Sequence, residues 1–267
     1  MKKTIRCLSL VLALILTGSA ALAATFRTQV SNILKEWEET DAQCETAEWQ
    51  KANGAVSSAR LLSVICAEAD DGSMTKSIRT VDATFETESV NANSALKTQV
   101  NGLYRSVEYL YLFAHALDTD NTWRKSIETV WDNYAAGDAA ARSTKGMAAQ
   151  ALDCVAELSY IVACLCDTEG TYAAEIDRVW EEYQSAVGKG TLTAQMVNSS
   201  SAAVGFMYIA DRAVDENNRY RTRTNQIMER YNTLTASAST QDQMIVNALY
   251  RFVELLGVMG HQLAVGK

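Results

Sequence analysis

The chain has 267 residues, of which 48% are hydrophobic and 21% are charged, proportions that are typical of a globular domain and exclude extensive disorder. Its 32 acidic residues outnumber its 24 basic ones and give a formal net charge of −8. Such a surface repels nucleic acid and anionic lipid, so no nucleic-acid partner is expected. Proline is absent, so no residue forces a kink in a helix.

The first residues have the pattern of a secretory signal peptide. A basic start with two lysines and an arginine precedes an apolar run at residues 8–16, and a small-residue cleavage site ends at Ala23. The apolar run is shorter than the roughly 20 residues that a membrane-spanning helix needs. We therefore expect residues 1–23 to be removed and residues 24–267 to form a single helical repeat domain without a membrane span. The mature protein is expected to be periplasmic or secreted.

Beyond the signal segment the chain repeats itself about every 48 or 49 residues. The clearest copies are residues 123–134 and 172–183, which share Ile, Val, Trp and Tyr at matching places, and a Leu-Tyr-Arg-x-Val-Glu motif at 103–108 returns at 249–254. An internal period of this size indicates units that stack because none can bury its apolar face alone. One aromatic position recurs in every unit: Trp37, Phe85, Tyr134, Tyr183 and Tyr231.

Each period has the pattern of a helical hairpin. Apolar residues between Leu103 and Leu117 recur at the spacing of an amphipathic helix, and a polar turn follows at residues 118–121. Asn and Gly in such turns tolerate the left-handed conformation that ends a helix, and Asp or Thr can cap the next one. In chain order we predict a helix from about Thr25 to Glu48, four hairpins, and a last helix from about Gln241 to Ala264.

The predicted fold is therefore all-α, an array of stacked antiparallel helical hairpins in the manner of an α-solenoid, with about ten helices after signal removal. The first and last helices have no partner in this scheme and would act as caps. The period resembles that of HEAT and armadillo solenoids, although the chain carries no residue signature of those families. A closed helical bundle is the alternative.

Aligning the repeats places cysteine and histidine in one column: Cys66, His115, Cys164 and His261, with Arg212 in the fourth repeat. These residue types bind metals and haem. Equivalent positions of stacked helices lie about 10 Å apart, however, whereas zinc holds its ligands at about 2 Å. We therefore expect no cofactor from an open array. If the array closes and gathers the column, a periplasmic metal- or haem-binding bundle becomes the alternative function.

Five cysteines remain after processing, and their odd number leaves at least one outside any intramolecular disulfide. Cys44 and Cys66 flank a loop predicted around Asn53 at similar distances along the chain. In an antiparallel hairpin such residues lie opposite each other. We therefore expect a disulfide between Cys44 and Cys66 in the oxidising exported compartment.

The leading hypothesis for function is an exported, non-enzymatic scaffold that presents an extended surface to a protein or peptide, which is how stacked hairpins are commonly used. Carboxylates are plentiful, so a carboxylate-based hydrolase is a second alternative, whereas no Gly-x-Ser-x-Gly motif indicates a serine nucleophile. The recurring polar and aromatic positions beside the helix core form the predicted partner-binding face. Its residues are Tyr104, Arg105, Glu108, Glu157, Tyr250, Arg251 and Glu254.

Overall fold

The computed structural model describes residues 26–264, and the predicted signal segment lies outside them. Within these residues the chain forms ten α-helices and no strand, which confirms the all-α fold. Shorter outer helices alternate with longer inner helices. The outer helices are α1 (Phe26–Asp41), α3 (Thr75–Asn91), α5 (Arg124–Ala140), α7 (Ala173–Ala186) and α9 (Arg221–Ser237). The inner helices are α2 (Ala47–Ala69), α4 (Ala95–Leu117), α6 (Thr144–Cys166), α8 (Leu192–Val214) and α10 (Gln241–Leu263).

The helix boundaries follow from repeated capping residues. Each inner helix is preceded by a Ser or Thr whose hydroxyl accepts a hydrogen bond from the backbone N–H three residues further on, which satisfies one of the unpaired donors of the first turn. Four outer helices are preceded by an aspartate whose carboxylate accepts the backbone N–H of the residue directly before the helix, four or five residues further on. The hydroxyl caps are Thr46, Ser94, Ser143, Thr191 and Thr240. The aspartates are Asp70, Asp118, Asp167 and Asp215.

The inner helices form a closed ring. Each packs against the inner helices that precede and follow it in the chain, and α10 packs against α2. The first helix, α1, lies in the groove between α10 and α2. The two helices that the sequence left as unpaired caps therefore complete a fifth hairpin. The array closes because a capping helix would leave apolar surface in water, whereas pairing α1 with α10 buries both.

Neighbouring inner helices approach closely at glycine. A Cβ atom on Gly102 of α4 would lie 2.7 Å from backbone atoms of Ala55 and Val56 on α2, so only glycine fits there. Small residues are frequent along the buried face of α2 for the same reason. Close packing of this kind allows five helices to surround one axis without leaving a channel.

The axis of the ring is filled by side chains. The void that remains there has a volume of about 10 Å³, which is about the space of one water molecule. All five inner helices contribute to its wall: Ser58, Leu103, Ser106, Leu152, Val155, Ser200, Ala203, Ala248, Leu249 and Phe252. The ring is therefore a packed core, and any binding site must lie on its rims or flanks.

The recurring aromatic position is confirmed as part of the core. The five side chains Trp37, Phe85, Tyr134, Tyr183 and Tyr231 are all buried, each on an outer helix facing the ring. They occupy equivalent places, as expected for copies of one unit.

The prediction of one helix from Thr25 to Glu48 is wrong. The chain turns at residues 42–46 and α2 begins at Ala47, because Thr46 caps a new helix there. The predicted disulfide fails for the same reason. Cys44 lies in this turn, while Cys66 lies near the far end of α2, about 28 Å away at 1.5 Å of rise per residue, and no disulfide joins them.

One helix in the described part of the chain, α6, is long and apolar enough to cross a membrane by its length and composition. Most of its apolar window is buried, and α6 packs between α4, α5 and α8. Its apolar character is explained by its place in the ring.

Candidate functional site

Each outer helix is held in its groove by a repeated side-chain contact. An asparagine on the inner helix donates from Nδ2 to the backbone carbonyl of the outer-helix aromatic residue. The pairs are Asn53 with Trp37 (3.1 Å), Asn101 with Phe85 (3.3 Å), Asn198 with Tyr183 (3.0 Å) and Asn247 with Tyr231 (3.0 Å). These asparagines recur with the period of the repeat, so a closer alignment of the sequence would have found them.

The repeat is interrupted in α6. Gln150 takes the place of the asparagine and lies against Gly137 of α5, where an added Cβ would be 2.4 Å from the Gln150 amide carbon. Glutamine is longer by one methylene group, so its amide passes the carbonyl that the asparagines reach.

The predicted partner-binding face is for the most part covered by protein. The Arg105 and Arg251 side chains are buried and form ion pairs of 2.8 Å with Glu108 and Glu254, three residues further along the same helices. Glu254 also pairs with Arg230 of α9 at 3.0 Å. Of these pairs, Arg230–Glu254 joins the outer and inner layers. Both arginines of the predicted face are buried and both glutamates are partly buried, so only part of their surface is available to a partner.

The two tyrosines of the predicted face also bond between the layers. Tyr104 of α4 donates its hydroxyl hydrogen to Asp138 of α5, and Tyr250 of α10 donates to Asp41 of α1. Desolvation and the neighbouring carboxylate raise the pKa of both phenols. They remain neutral donors at any physiological pH.

Glu157 is the member of the predicted face that differs from the others. It lies at the place of Glu108 and Glu254, but Cys154 stands where those glutamates have an arginine three residues earlier. Burial, and to a smaller extent Asp153, raise the pKa of Glu157 to about 7. This carboxyl group is therefore half-buried next to a second acid and without the arginine that accompanies the equivalent glutamates in α4 and α10.

The column of cysteine and histidine does not converge. The helix starts place Ala67 in register with His115, Cys164 and His261, so Cys66 is one residue out of the column, and it faces the core. Its thiol donates to the backbone carbonyl of Tyr109 at 3.1 Å.

The other three members of the column have different neighbours. His115 Nε2 lies 3.6 Å from Glu128, Cys164 contacts Tyr160, and His261 is buried near two arginines, with burial and these cations lowering its pKa. Among residues 26–264, no group of three or more His, Cys, Asp or Glu side chains could hold a metal ion.

A polar cavity of about 220 Å³ opens on the flank of the ring between α6 and α8. We call it the side cavity. It is walled by both helices and by the loop that joins α7 to α8. Its lining residues are Gly146, Ala149, Gln150, Asp153, Val187, Gly188, Leu192, Gln195, Asn198 and Ser199.

The side cavity forms where the outer helix is short. The helix α7 has 14 residues, whereas α3, α5 and α9 have 17 each. The loop that follows α7 spans residues 187–191, longer than the three-residue loops before α4, α6 and α10. Gly188 (φ 70°) and Gly190 (φ 78°) turn it outward in the left-handed region. The space that the longer outer helices fill is left open beside α7.

Asp153 is oriented within the side cavity by two hydroxyl groups. Tyr183 of α7 donates to Asp153 Oδ1 at 2.6 Å, and Ser199 of α8 lies 3.0 Å from the same oxygen. In α4 and α10 the corresponding inner-helix residues are Tyr104 and Tyr250, which donate to outer-helix aspartates, so α6 exchanges a tyrosine donor for an aspartate acceptor at this position. The exchange puts a carboxylate on the cavity wall.

A second polar depression, of about 410 Å³, lies at the other end of the same junction, between the turns that follow α6 and α8. Its charged groups already bond one another. Arg212 binds both oxygens of Glu175 at 3.1 and 2.8 Å and lies over the Tyr172 ring, while Asp167 and Asp215 cap helices. The side cavity differs in that Asp153 forms no ion pair with any residue from 26 to 264.

Comparison with protein-family models, curated proteins and solved structures gives no match for this chain. The function must be argued from the site.

Proposed function

We propose that the protein is a non-enzymatic, exported binding protein that recognises a protein or peptide by taking one polar side chain into the side cavity. In the closed ring the residues of the first predicted face are buried or partly buried, and most of them bond other side chains. The proposal therefore places recognition on the flank of the ring. Export rests on the pattern of residues 1–23.

One observation carries the proposal: the cavity coincides with the interruption of the repeat. The change from asparagine to Gln150, the absence at Cys154 of the arginine that α4 and α10 place beside the same glutamate, the shortened α7 and the glycine-containing loop all fall at one junction. Interruptions that served packing alone would fill the space they create, because an unfilled cavity costs free energy. Here they leave a polar space, of the kind that binding sites occupy.

The alternatives receive less support from the described residues. A metal or haem carrier would need His115, Cys164 and His261 to meet, and each has a separate environment. A carboxylate hydrolase would need two acids facing each other across a cleft, whereas Asp153 is the single acid among the described residues that line the side cavity.

The proposal can be tested with amino acids blocked at both ends, as probes for single side chains. Blocked lysine, arginine, glutamine and serine are titrated into the purified protein and followed by saturation-transfer NMR. At least one is expected to bind with a dissociation constant of about a millimolar, the range for a fragment of this size. Ala149→Leu, which places three more carbon atoms in the cavity, should abolish binding.

The matched control is Ala83→Leu, the same change at an exposed position of α3, which should leave binding unchanged. If no probe binds, or if binding survives Ala149→Leu, the side cavity is not the recognition site.

A further inference from the structure

We infer that the side cavity selects a positively charged group, a primary ammonium of the kind carried by a lysine side chain. The inference rests on the proposed function and adds the chemical class of the ligand. It follows from the charges on the cavity wall and from the absence in α6 of an arginine that α4 and α10 carry.

The wall of the side cavity carries negative charge and hydrogen-bonding groups. Its described lining includes the Asp153 carboxylate, the amides of Gln150, Gln195 and Asn198, and the Ser199 hydroxyl, with no lysine, arginine or histidine. A carboxylate or phosphate would meet repulsion there. A neutral alcohol could form hydrogen bonds but would leave the Asp153 charge without a counterion.

The hydrogen bonds of Asp153 leave one of its oxygens for a ligand. Both hydroxyl partners, Tyr183 and Ser199, lie at Oδ1. Oδ2 receives no hydrogen bond from the described residues and is not enclosed. A carboxylate that is held in place by its own hydrogen bonds can accept from an ammonium group without first being ordered, which favours binding.

Two of the other inner helices, α4 and α10, show what is missing in α6. Arg105 in α4 and Arg251 in α10 place a buried guanidinium next to a glutamate. In α6 the equivalent residue is Cys154, so Glu157 and Asp153 lie one turn apart without a cation. A ligand ammonium at Asp153 would supply the positive charge that an arginine supplies in α4 and α10.

Two lysines lie near the cavity, and both are engaged elsewhere. Lys145 Nζ bonds Thr193 Oγ1 at 2.6 Å, and Lys189 Nζ bonds the Ser185 carbonyl at 2.5 Å. Neither lines the cavity. Both side chains are exposed, and neither forms an ion pair with Asp153 among the described residues.

The test uses three probes of similar shape and different charge: n-butylammonium, 1-butanol and butyrate. Each is titrated into the purified protein and followed by saturation-transfer NMR, with Ala149→Leu as the check that binding occurs in the side cavity. Butylammonium is expected to bind at least about tenfold more tightly than butanol, as the loss of a charge-assisted hydrogen bond implies. Butyrate is expected not to bind.

The variant Asp153→Asn should remove the preference for butylammonium over butanol. Its matched control is Asp138→Asn, which disturbs another tyrosine–aspartate contact, at a residue that does not line the side cavity, and should leave the preference intact. Should Asp153→Asn fail to fold, a pH titration of the wild type tests the same point.

A cation at Asp153 would lower the pKa of Glu157 from its value of about 7. The titratable groups that interact with Glu157 are Asp153 and Cys154 on α6 and Tyr183 on α7, none of them a cation. Butylammonium affinity should therefore rise from about pH 6 to about pH 8, and Glu157→Gln should flatten this rise.

The outcomes separate this inference from the proposed function. If butanol binds as tightly as butylammonium and Ala149→Leu abolishes both, the cavity binds ligands without charge selection and the inference is overturned while the proposed function stands. If butyrate binds best, the inference is also overturned. If none of the blocked amino acids or butyl probes binds, both the inference and the proposed function are overturned.

Discussion

Tyr250, in the last helix, donates its phenolic hydrogen to Asp41, at the end of the first helix. The two residues are 209 positions apart in the chain. Tyr104 makes the same bond to Asp138 within one hairpin, α4 and α5. The seam where the two ends of the chain meet is therefore built from the same contact as an internal junction, and the ring has five equivalent hairpins.

Removing the tyrosine hydroxyl at the seam should lower the free energy of unfolding by as much as removing it within a hairpin. We expect Tyr250→Phe to lower the free energy of unfolding by about 1 to 3 kcal/mol, because it leaves a carboxylate without its donor in a partly buried place. The control Tyr104→Phe should have an effect of similar size. Urea unfolding measures both. A full effect for Tyr104→Phe with none for Tyr250→Phe would show that the ring is open in solution.

Closure of the ring also predicts tolerance to circular permutation. A Cβ on Gly260 of α10 would lie 2.8 Å from Val30 of α1, so the start of α1 and the end of α10 are close. A short linker joining residue 264 to residue 26, with new termini between Arg142 and Ser143, should retain the helical circular dichroism spectrum and a single unfolding transition. Loss of cooperative unfolding would contradict the closed ring.

The asparagine contacts should contribute measurably to stability. Asn247→Ala removes hydrogen bonds to the Tyr231 carbonyl and to Thr235 (3.0 and 2.6 Å), so we expect a loss of about 2 kcal/mol. Gln150→Ala, at the same place in α6, should cost less because Gln150 forms no bond of this kind. Equal losses of unfolding free energy for the two variants in chemical denaturation would argue against a shared role for the recurring asparagines.

Two aspartates four residues apart should respond in opposite ways. Asp211 is fully buried with both carboxylate oxygens unpaired, and this burial raises its pKa well above the ordinary value. Asp215 accepts the backbone N–H groups of Arg219 and Tyr220, directly before α9, at 2.8 and 2.9 Å. Asp211→Ala, which copies Ala114 and Ala163 of α4 and α6, should raise the free energy of unfolding by about 1 to 3 kcal/mol at neutral pH. Asp215→Ala should lower it by about 1 kcal/mol.

The effect of Asp211 depends on pH in a defined direction. The native state keeps a proton that the unfolded chain loses at about pH 4, so the free energy of unfolding falls as the pH rises from there toward the native pKa. Asp211→Ala should remove this decrease in the free energy of unfolding. Denaturation at a series of pH values measures the slope, and an unchanged slope would contradict a protonated Asp211.

Glu157 and Glu108 form a second opposing pair. Because the pKa of Glu157 is raised to about 7, its contribution to stability is lost between about pH 4.3 and about pH 7, where the unfolded chain has already ionised. Glu157→Gln should therefore gain stability relative to wild type as the pH rises through this range. Burial also raises the pKa of Glu108, so Glu108→Gln should lose stability where the wild-type carboxyl group is ionised and pairs with the buried Arg105. Thermal unfolding at about pH 5 and about pH 8 distinguishes the two.

The candidate site was only partly accessible from the sequence. The repeat singled out Glu157 through its equivalence to Glu108 and Glu254, yet sequence reasoning treated all three as one binding face. What separates Glu157 is the identity of the residue three places earlier and the packing of α7 beside it. Asp153 was missed because its importance lies in the bonds from Tyr183 and Ser199, which belong to two other helices.

The amino-acid sequence determined the helices, their number and their alternation in two kinds, because helix periodicity and capping are local properties that repeat with the chain. Closure of the ring, the burial of the arginine–glutamate pairs and the opening beside α7 were decided by the tertiary structure. Each depends on small rotations and translations between neighbouring helices that accumulate over five hairpins, and on whether α1 meets α10. No stretch of sequence encodes that sum locally, since it is set by how closely the helices approach at residues without a side chain, such as Gly102 and Gly260.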